Sequence, residues 1–348
     1  MRILVRATNW VGDAIMALPA LRAVRRRFPD ARISIVARPY VADIYRGQQI
    51  CDELIAYAPK GAHSGLRGRE RLVEELRGRK FDVALLLQNA FDAAWLAWRA
   101  GIPERIGYAR DGRSLLLTKR IAAPKRGEIP LHEQFYYLEL VRRAGWIDSL
   151  ANESFVGLHV PAEDRERAEG SLRSAGARTD VRRIAIGAGA SYGSAKCWPP
   201  ERFAEFVNRF RQHSDADVIL FGTAAERTVS DAITAGIAGP TISLVGATAI
   251  ADLPALLSRC QLFVGNDSGA MHVAAAVGLP VVAIFGPTDP HGTAPITPRW
   301  TLVQEKPYCS PCFLRRCPID HRCMTLVMPE AVEAAARSWL SSAEVASG

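Results

Sequence analysis

Short apolar runs alternate with amphipathic stretches from the start of the chain. Ile3–Arg6, Ile33–Ala37, Leu54–Tyr57 and Val83–Leu87 have the length and composition of buried strands, and Ala14–Phe28 and Glu70–Arg77 between them repeat apolar residues at helical spacing. A polar, helix-patterned stretch follows over Pro161–Arg182. The alternation then restarts with Ile184–Gly187, Val218–Phe221, Ile242–Val245, Leu262–Val264 and Val281–Phe285. This pattern predicts an α/β fold of parallel strands with crossover helices, wound twice. The expected division is a domain over 1–165, a second over 180–328 with a connector near 161–182, and a closing helix and tail over 329–348, the helix at Pro329–Ser341. Sheets of this kind bind ligands outside the carboxyl ends of their strands, so the strand-to-helix turns are where chemistry is sought.

Those turns exclude two common readings. RATNWVGDA lacks the G-x-G-x-x-G dinucleotide fingerprint, and GAGASYGSAKCW lacks the G-x-x-x-x-G-K-[ST] order of a P-loop. An ordinary dehydrogenase or P-loop ATPase is therefore disfavoured. The first turn does place a carboxylate, Asp13, at the joint between an apolar strand and an apolar helix, where it serves either as a helix cap or as a catalytic base. In LFVGNDSGAMHV the strand ends at Val264, and Gly265–Asn266–Asp267–Ser268–Gly269 opens a helix carrying His272. Glycines at a helix N-terminus suit a diphosphate, since free N–H groups and the dipole both favour negative charge; the plainer reading is a capped helix with a satisfied core histidine. Lys196 follows another turn of the same half and offers a counter-charge. Glu226, in FGTAAERTVSD, is placed either to accept hydrogen bonds from ribose hydroxyls or to complement a helix dipole.

Composition adds three points. At 348 residues, the chain has material for two cores, and no apolar run reaches the roughly 18 residues of a membrane span. The N-terminus runs straight into strand material without a leader, and seven cysteines do not form a secreted disulfide framework, so a cytoplasmic setting is expected. Four of the cysteines, Cys309, Cys312, Cys317 and Cys323, fall with His321 in YCSPCFLRRCPIDHRCM, whose spacing matches no standard zinc or iron–sulfur pattern; a reduced structural loop is the preferred reading. The charge is lopsided: residues 1–150 carry 26 Lys and Arg against 16 Asp and Glu, a net of +10, while 151–348 carry 18 against 20, a net of −2. The first half is therefore suited to an anionic partner. No nucleic-acid motif stands out, which favours a membrane surface or a phosphorylated substrate.

Taken together, NWVGDAIMALPALRAVRRRFP, GASYGSAKCWPPERFAEF, GNDSGAMHVAAAVGLPVVAIFGPTDP and CSPCFLRRCPIDHRCM resemble, in order and from residue 1 to about 340, the bacterial ADP-heptose:lipopolysaccharide heptosyltransferases of glycosyltransferase family 9, the heptosyltransferase II branch most of all. The resemblance implies the GT-B architecture, two Rossmann-like domains facing across a cleft. It also implies inverting transfer of L-glycero-D-manno-heptose from ADP-heptose to a heptose of a heptosyl-Kdo-lipid A type acceptor. By that resemblance Asp13 is the general base, Ser191 and Lys196 contact the donor phosphates, Glu226 the ribose, and Asp267, Ser268, Gly269 and His272 form the donor-binding helix N-terminus. Asn9, Asn89, Arg110 and Arg113 are candidate acceptor contacts. Cys197 stands where relatives carry a larger polar or basic residue. No acid cluster calls for a metal, and no cofactor is expected. The basic first half then meets the acceptor and, peripherally, the cytoplasmic face of the inner membrane, without nucleic acid. The competing readings are a sister transferase with another acceptor, a nucleotide-sugar epimerase of the same architecture, and a non-catalytic nucleotide-sugar-binding module.

Overall fold

The computed structural model describes residues 1–345, and the last three residues of the tail lie outside the described part. The chain divides into two compact units, Met1–Glu153 and Ser154–Gly348. The first contains β1 (Arg2–Arg6), β2 (Arg32–Ala37), β3 (Glu53–Ala56), β4 (Val83–Leu86), β5 (Glu104–Tyr108) and β6 (Lys119–Ile121), with helices α1 (Val11–Met16), α2 (Leu18–Arg27), α3 (Pro39–Tyr45), α4 (Gly65–Gly78), α5 (Phe91–Arg99) and α6 (Glu133–Arg143). The strands form one sheet in the order β3-β2-β1-β4-β5-β6, with every neighbouring pair parallel. The central strands are buried on both faces, as their unbroken apolar runs require: Ile3, Val5, Ala84, Leu85 and Leu86 are fully enclosed.

The second unit repeats the plan with β7 (Arg182–Gly187), β8 (Ala216–Leu220), β9 (Ile242–Ser243), β10 (Leu262–Asn266), β11 (Val281–Phe285) and β12 (Trp300–Gln304) in the order β12-β11-β10-β7-β8-β9, again parallel throughout. Its helices are α7 (Ala162–Ser174), α8 (Pro200–Arg211), α9 (Arg227–Gly236), α10 (Leu253–Leu257), α11 (Gly269–Ala276), α12 (Pro290–Thr293), α13 (Arg322–Thr325) and α14 (Pro329–Val345). Phe203, Phe206, Val207 and Phe210 of α8 pack with Val332, Ala336 and Leu340 of α14 over the sheet, which makes the closing helix part of this core.

The polar stretch expected to connect the two domains lies inside the second unit. The backbone N–H groups of Val156 and Leu158 already bond the carbonyls of Ile296 and Ala276, and Arg183 of β7 ties to Glu169 of α7. The strand expectations were short by three, β5, β6 and β12. Each lies at or next to a sheet edge and mixes charged or half-exposed positions with apolar ones, so no continuous apolar run announces it. The long helix expected over Ala14–Phe28 is instead two, α1 and α2, meeting at Ala17 with Pro19 in the first turn of the second.

Candidate active site

Numbered within each unit, both sheets have the doubly wound order 3-2-1-4-5-6, whose direction of winding reverses between the first and fourth strands. At that point the helices leave on opposite faces and the carboxyl ends of two neighbouring strands are uncovered. In the first unit the reversal lies between β1 and β4, and in the second between β7 and β10. Asp13 follows β1, Asn89 follows β4, Lys196 follows β7 and Asp267 ends the turn of β10. The topology thus carries the sequence-predicted residues to the two places where such sheets bind ligands.

In the second unit the brought-together group is tight. Lys196 Nζ lies 2.5 Å from Asp267 Oδ2, and both side chains are largely enclosed. Thr288 Oγ1 donates to the same carboxylate oxygen at 2.7 Å. Lys196 also stands 5.0 Å from the centre of the Tyr192 ring, which Arg315 covers at 5.2 Å. Ser268 is the N-cap of α11 yet makes no capping bond, and its occluded hydroxyl has no hydrogen-bond partner. Gly269 opens the helix, His272 is buried within it, and Ser191 is exposed on the turn before Lys196. A lysine, a serine hydroxyl and free helix N–H groups are what a diphosphate requires. The sequence reading placed Lys196 against the donor directly; the structure gives it a protein partner first, so Asp267 holds the ammonium in position and lowers the cost of its burial.

Asn266, to which the sequence assigns no role, and the sequence-predicted Glu226 complete this side of the sheet. Asn266 Nδ2 donates to the carbonyl of Ala188 at 2.6 Å and its Oδ1 accepts from the N–H of Trp198 at 3.0 Å, so one buried side chain clamps the two turns together. Glu226 lies in a capping box with Thr223, accepting from the Thr223 N–H at 2.6 Å. The same carboxylate borders a small recess lined by the buried Ile186, Leu220, Phe221 and Val245. A methyl group on Gly189 would collide with the Glu226 carboxylate, so only glycine leaves room for it there.

The cysteine loop supports this site from behind. The N–H of Ala195 bonds the carbonyl of Arg315 at 3.1 Å, the Tyr192 hydroxyl donates to the carbonyl of Phe313 at 2.6 Å, and His321 Nε2 lies 2.7 Å from the carbonyl of Ala195. All seven cysteines are free thiols. Burial and the neighbouring thiols of Cys312, Cys309 and Cys317 push the Cys323 thiol up to about 11. Among the described residues no three His, Cys, Asp or Glu side chains are grouped to hold a metal ion. Cys197 is half-buried beside Lys196, its thiol raised by burial and by the Glu226 charge.

In the first unit Asp13 occupies the first turn of α1, whose N-cap is Trp10, so it is not the capping residue. Glu133, at the first position of α6, joins it. Burial and the nearby Asp13 charge push the Glu133 carboxyl up to about 7, against a smaller opposing effect from Arg110. Nothing in the sequence pointed to Glu133, since its neighbour lies 120 positions earlier. On the β4 side Asn89 Nδ2 donates to the Tyr136 hydroxyl at 2.6 Å, and exposed Arg110 reaches the same hydroxyl at 3.4 Å. Arg113 is fully buried and donates to the carbonyls of Tyr108 and Gln88 and to Asn89 Oδ1. Its guanidinium is therefore spent on holding Asn89, not available as the direct acceptor contact expected from sequence. Arg6 and Arg38, which the sequence reading passed over, gather around Asn9 at the ends of β1 and β2.

Residues 69–322 match the model of glycosyltransferase family 9 (heptosyltransferase). The chain is 30% identical over 312 residues to lipopolysaccharide heptosyltransferase 2 of Salmonella typhimurium, covering 87% of this chain and 88% of the relative. It is 28% identical over 317 residues to lipooligosaccharide heptosyltransferase 2 of Haemophilus influenzae, with 87% and 88% covered. Among solved structures, Escherichia coli ADP-heptose LPS heptosyltransferase II superposes with a TM-score of 0.82 at 26% identity, over 99% of this chain and 100% of that one. Two parallel six-stranded sheets with flanking helices, the GT-B plan, thus occur in a chain matched by a single family model: the protein belongs to glycosyltransferase family 9, the heptosyltransferases.

Proposed function

We propose that this glycosyltransferase moves L-glycero-D-manno-heptose from ADP-heptose to a heptose of the lipopolysaccharide inner core, with inversion at the transferred carbon. The observation that carries the donor half of this reading is the Lys196–Asp267 pair beside the unpartnered Ser268 hydroxyl at the switch point of the second sheet. There Lys196, Ser268 and the N–H groups opening α11 receive the diphosphate, with Glu226 turned to the ribose. The acceptor half rests on likeness to relatives named for lipopolysaccharide and lipooligosaccharide and on the net +10 of residues 1–150.

In this reaction an acceptor hydroxyl oxygen bonds to the anomeric carbon as the bond from that carbon to the diphosphate breaks. The hydroxyl proton passes to the Asp13 carboxylate, and ADP leaves with the bonding electrons. Charge grows on the departing diphosphate, and Lys196 with the helix N–H groups stabilises it where it grows. The enzyme works at the cytoplasmic face of the inner membrane, held there peripherally by its basic half. The test is incubation with ADP-heptose and a panel of truncated core acceptors, followed by mass measurement of the products. One heptosyl unit added to a heptose-terminated core, with one ADP released, is the expected result. Donor turnover with every acceptor unchanged in mass would overturn it.

A further inference from the structure

We propose that Arg38, Asn9 and the buried Arg6 form an anion subsite that receives a carboxylate or phosphate group of the acceptor, beside the strand that leads to Asp13. The inference rests on the acceptor reading above and adds to it the chemical group recognised and the residues that recognise it.

Arg6 is the last residue of β1 and only 2% exposed. Its Nη1 donates to the carbonyls of Ala7 and Val36, its Nη2 to Asn9 Oδ1 at 3.1 Å, and its Nε has no partner. Arg38, half-buried at the end of β2, donates from Nε to the same Asn9 oxygen at 3.3 Å. Both guanidinium groups lie against the buried Tyr57 ring, at 5.4 Å and 5.2 Å from its centre. Two cations thus share one neutral acceptor and one aromatic ring. Among the described residues no carboxylate forms an ion pair with either. The acid of this corner, Asp92, accepts from the Tyr57 hydroxyl at 2.8 Å and pairs with Arg69 at 3.4 Å. Burial, and then the Arg38 charge, push the Arg6 guanidinium down to about 10, against a smaller opposing effect from Asp92.

A buried charge whose hydrogen bonds all go to neutral oxygens and not to a carboxylate is costly, and a protein that keeps one gains when an anion arrives. The free donors agree with this. Among the described residues Arg38 bonds only through Nε, which leaves its paired Nη groups as a fork for a ligand, and Asn9 Nδ2 has no partner there. A planar fork matches the two oxygens of a carboxylate or phosphate, and Arg6 adds positive potential from behind without needing to touch the ligand. The position decides the source: Asn9 lies in the turn between β1 and α1, the helix whose first turn carries Asp13, whereas the nucleotide-binding features belong to the other unit.

The experiment uses the full chain and its Arg38→Gln and Arg38→Lys variants, with unchanged melting temperature as the check on folding. The sugar acid Kdo and inorganic phosphate are titrated separately at constant ionic strength and followed by NMR, which needs no transfer activity. The parent binds at least one probe, Arg38→Gln weakens that binding about 10- to 100-fold, and Arg38→Lys recovers part of it. In transfer kinetics Arg38→Gln raises acceptor KM by a similar factor with kcat and donor KM little changed. The penalty disappears on acceptor whose carboxylates have been reduced, or on dephosphorylated acceptor, and that arm identifies the group. A parent that binds neither probe, or an Arg38→Gln variant with parental affinity and KM, would overturn the subsite. A parent that transfers to no acceptor but loses probe binding on Arg38→Gln would sink the transfer reading and leave the subsite standing.

Discussion

At the scale of single residues, Asp13 and Glu133 make separable claims. A carboxylate in the first turn of a helix interacts with the dipole for about 0.3–1 kcal/mol, whereas a general base contributes about 10²–10⁴ in rate, or roughly 3–5 kcal/mol of the barrier. Asp13→Asn keeps the shape and hydrogen-bonding capacity and removes the proton acceptor. The expected outcome is near-parental melting, retained ADP-heptose binding and transfer reduced by at least 100-fold; activity within about tenfold of the parent would reduce Asp13 to a helix-end residue. Glu133 speaks through pH. Its folded carboxyl titrates at about 7 against an ordinary 4.5, because burial and the Asp13 charge both oppose ionisation. A raised carboxyl favours the folded state fully below pH 4.5, and that contribution is lost as pH rises to about 7, by at most about 3 kcal/mol. Glu133→Gln should therefore gain stability relative to the parent between pH 4.5 and 7.5 in urea unfolding. A difference that stays constant across that range would show that Glu133 is not the titrating group. Asp13 was legible in the sequence because a single acid breaks an apolar strand-to-helix joint. Glu133 and Arg113 were not, because burial and a distant neighbour's charge are made by the fold, not by the local pattern.

At the scale of elements, the turn after β7 and the loop of residues 308–322 act as one piece. The loop accepts from Ala195 and Tyr192 through its own backbone carbonyls, so the position of Lys196 depends on a segment more than a hundred residues later. A methyl group on Gly193 would fall on the carbonyl of Arg315. Gly193→Ala should thus push turn and loop apart, at the cost of about 1–3 kcal/mol usual for overpacking, and weaken donor binding beyond any loss of stability. ADP at 100 times its dissociation constant should stabilise the parent by about 2.7 kcal/mol, a rise of roughly 5–11 °C in a unit of this size. The rise should shrink in Gly193→Ala and in Lys196→Ala. An undiminished shift in Gly193→Ala would show that the loop does not position Lys196, and a larger response of the parent to NAD or UDP would point away from an ADP donor. The elements themselves were legible where strands are buried on both faces, as in ILVR and VALL, and failed at ERIGY, KRI and WTLVQ, where a position at or next to a sheet edge permits mixed polarity. The turn-to-loop contact was invisible, since backbone carbonyls carry no sequence signature.

At the scale of the whole molecule, the asymmetry of charge is the property that single sites do not explain. The net +10 of residues 1–150 exceeds what one acceptor group neutralises, and much of it stands on exposed helices: Arg67, Arg71, Arg77 and Arg79 on or just beyond α4, and Arg25, Arg26 and Arg27 at the end of α2. Several of these are paired, Arg25 with Asp52 and Arg79 with Glu53 and Glu75, but the sum remains strongly positive. Among the described residues no helix is long and apolar enough to cross a membrane. Attachment through such charges is electrostatic, and electrostatics between exposed groups is screened over about 10 Å at 0.1 M salt and about 3 Å at 1 M. The protein should therefore sediment with vesicles containing anionic lipid at low salt, ignore neutral vesicles, and be released at 0.5–1 M salt without detergent (roughly, a Debye length of 3–5 Å). Replacing Arg26 and Arg27 by Gln should lower the salt needed for release while leaving ADP binding in the other unit untouched. Binding that survives 1 M salt and yields only to detergent would mean that the exposed apolar side chains, Trp10, Phe91, Trp98 and Leu115 among them, hold the membrane in place of the charge.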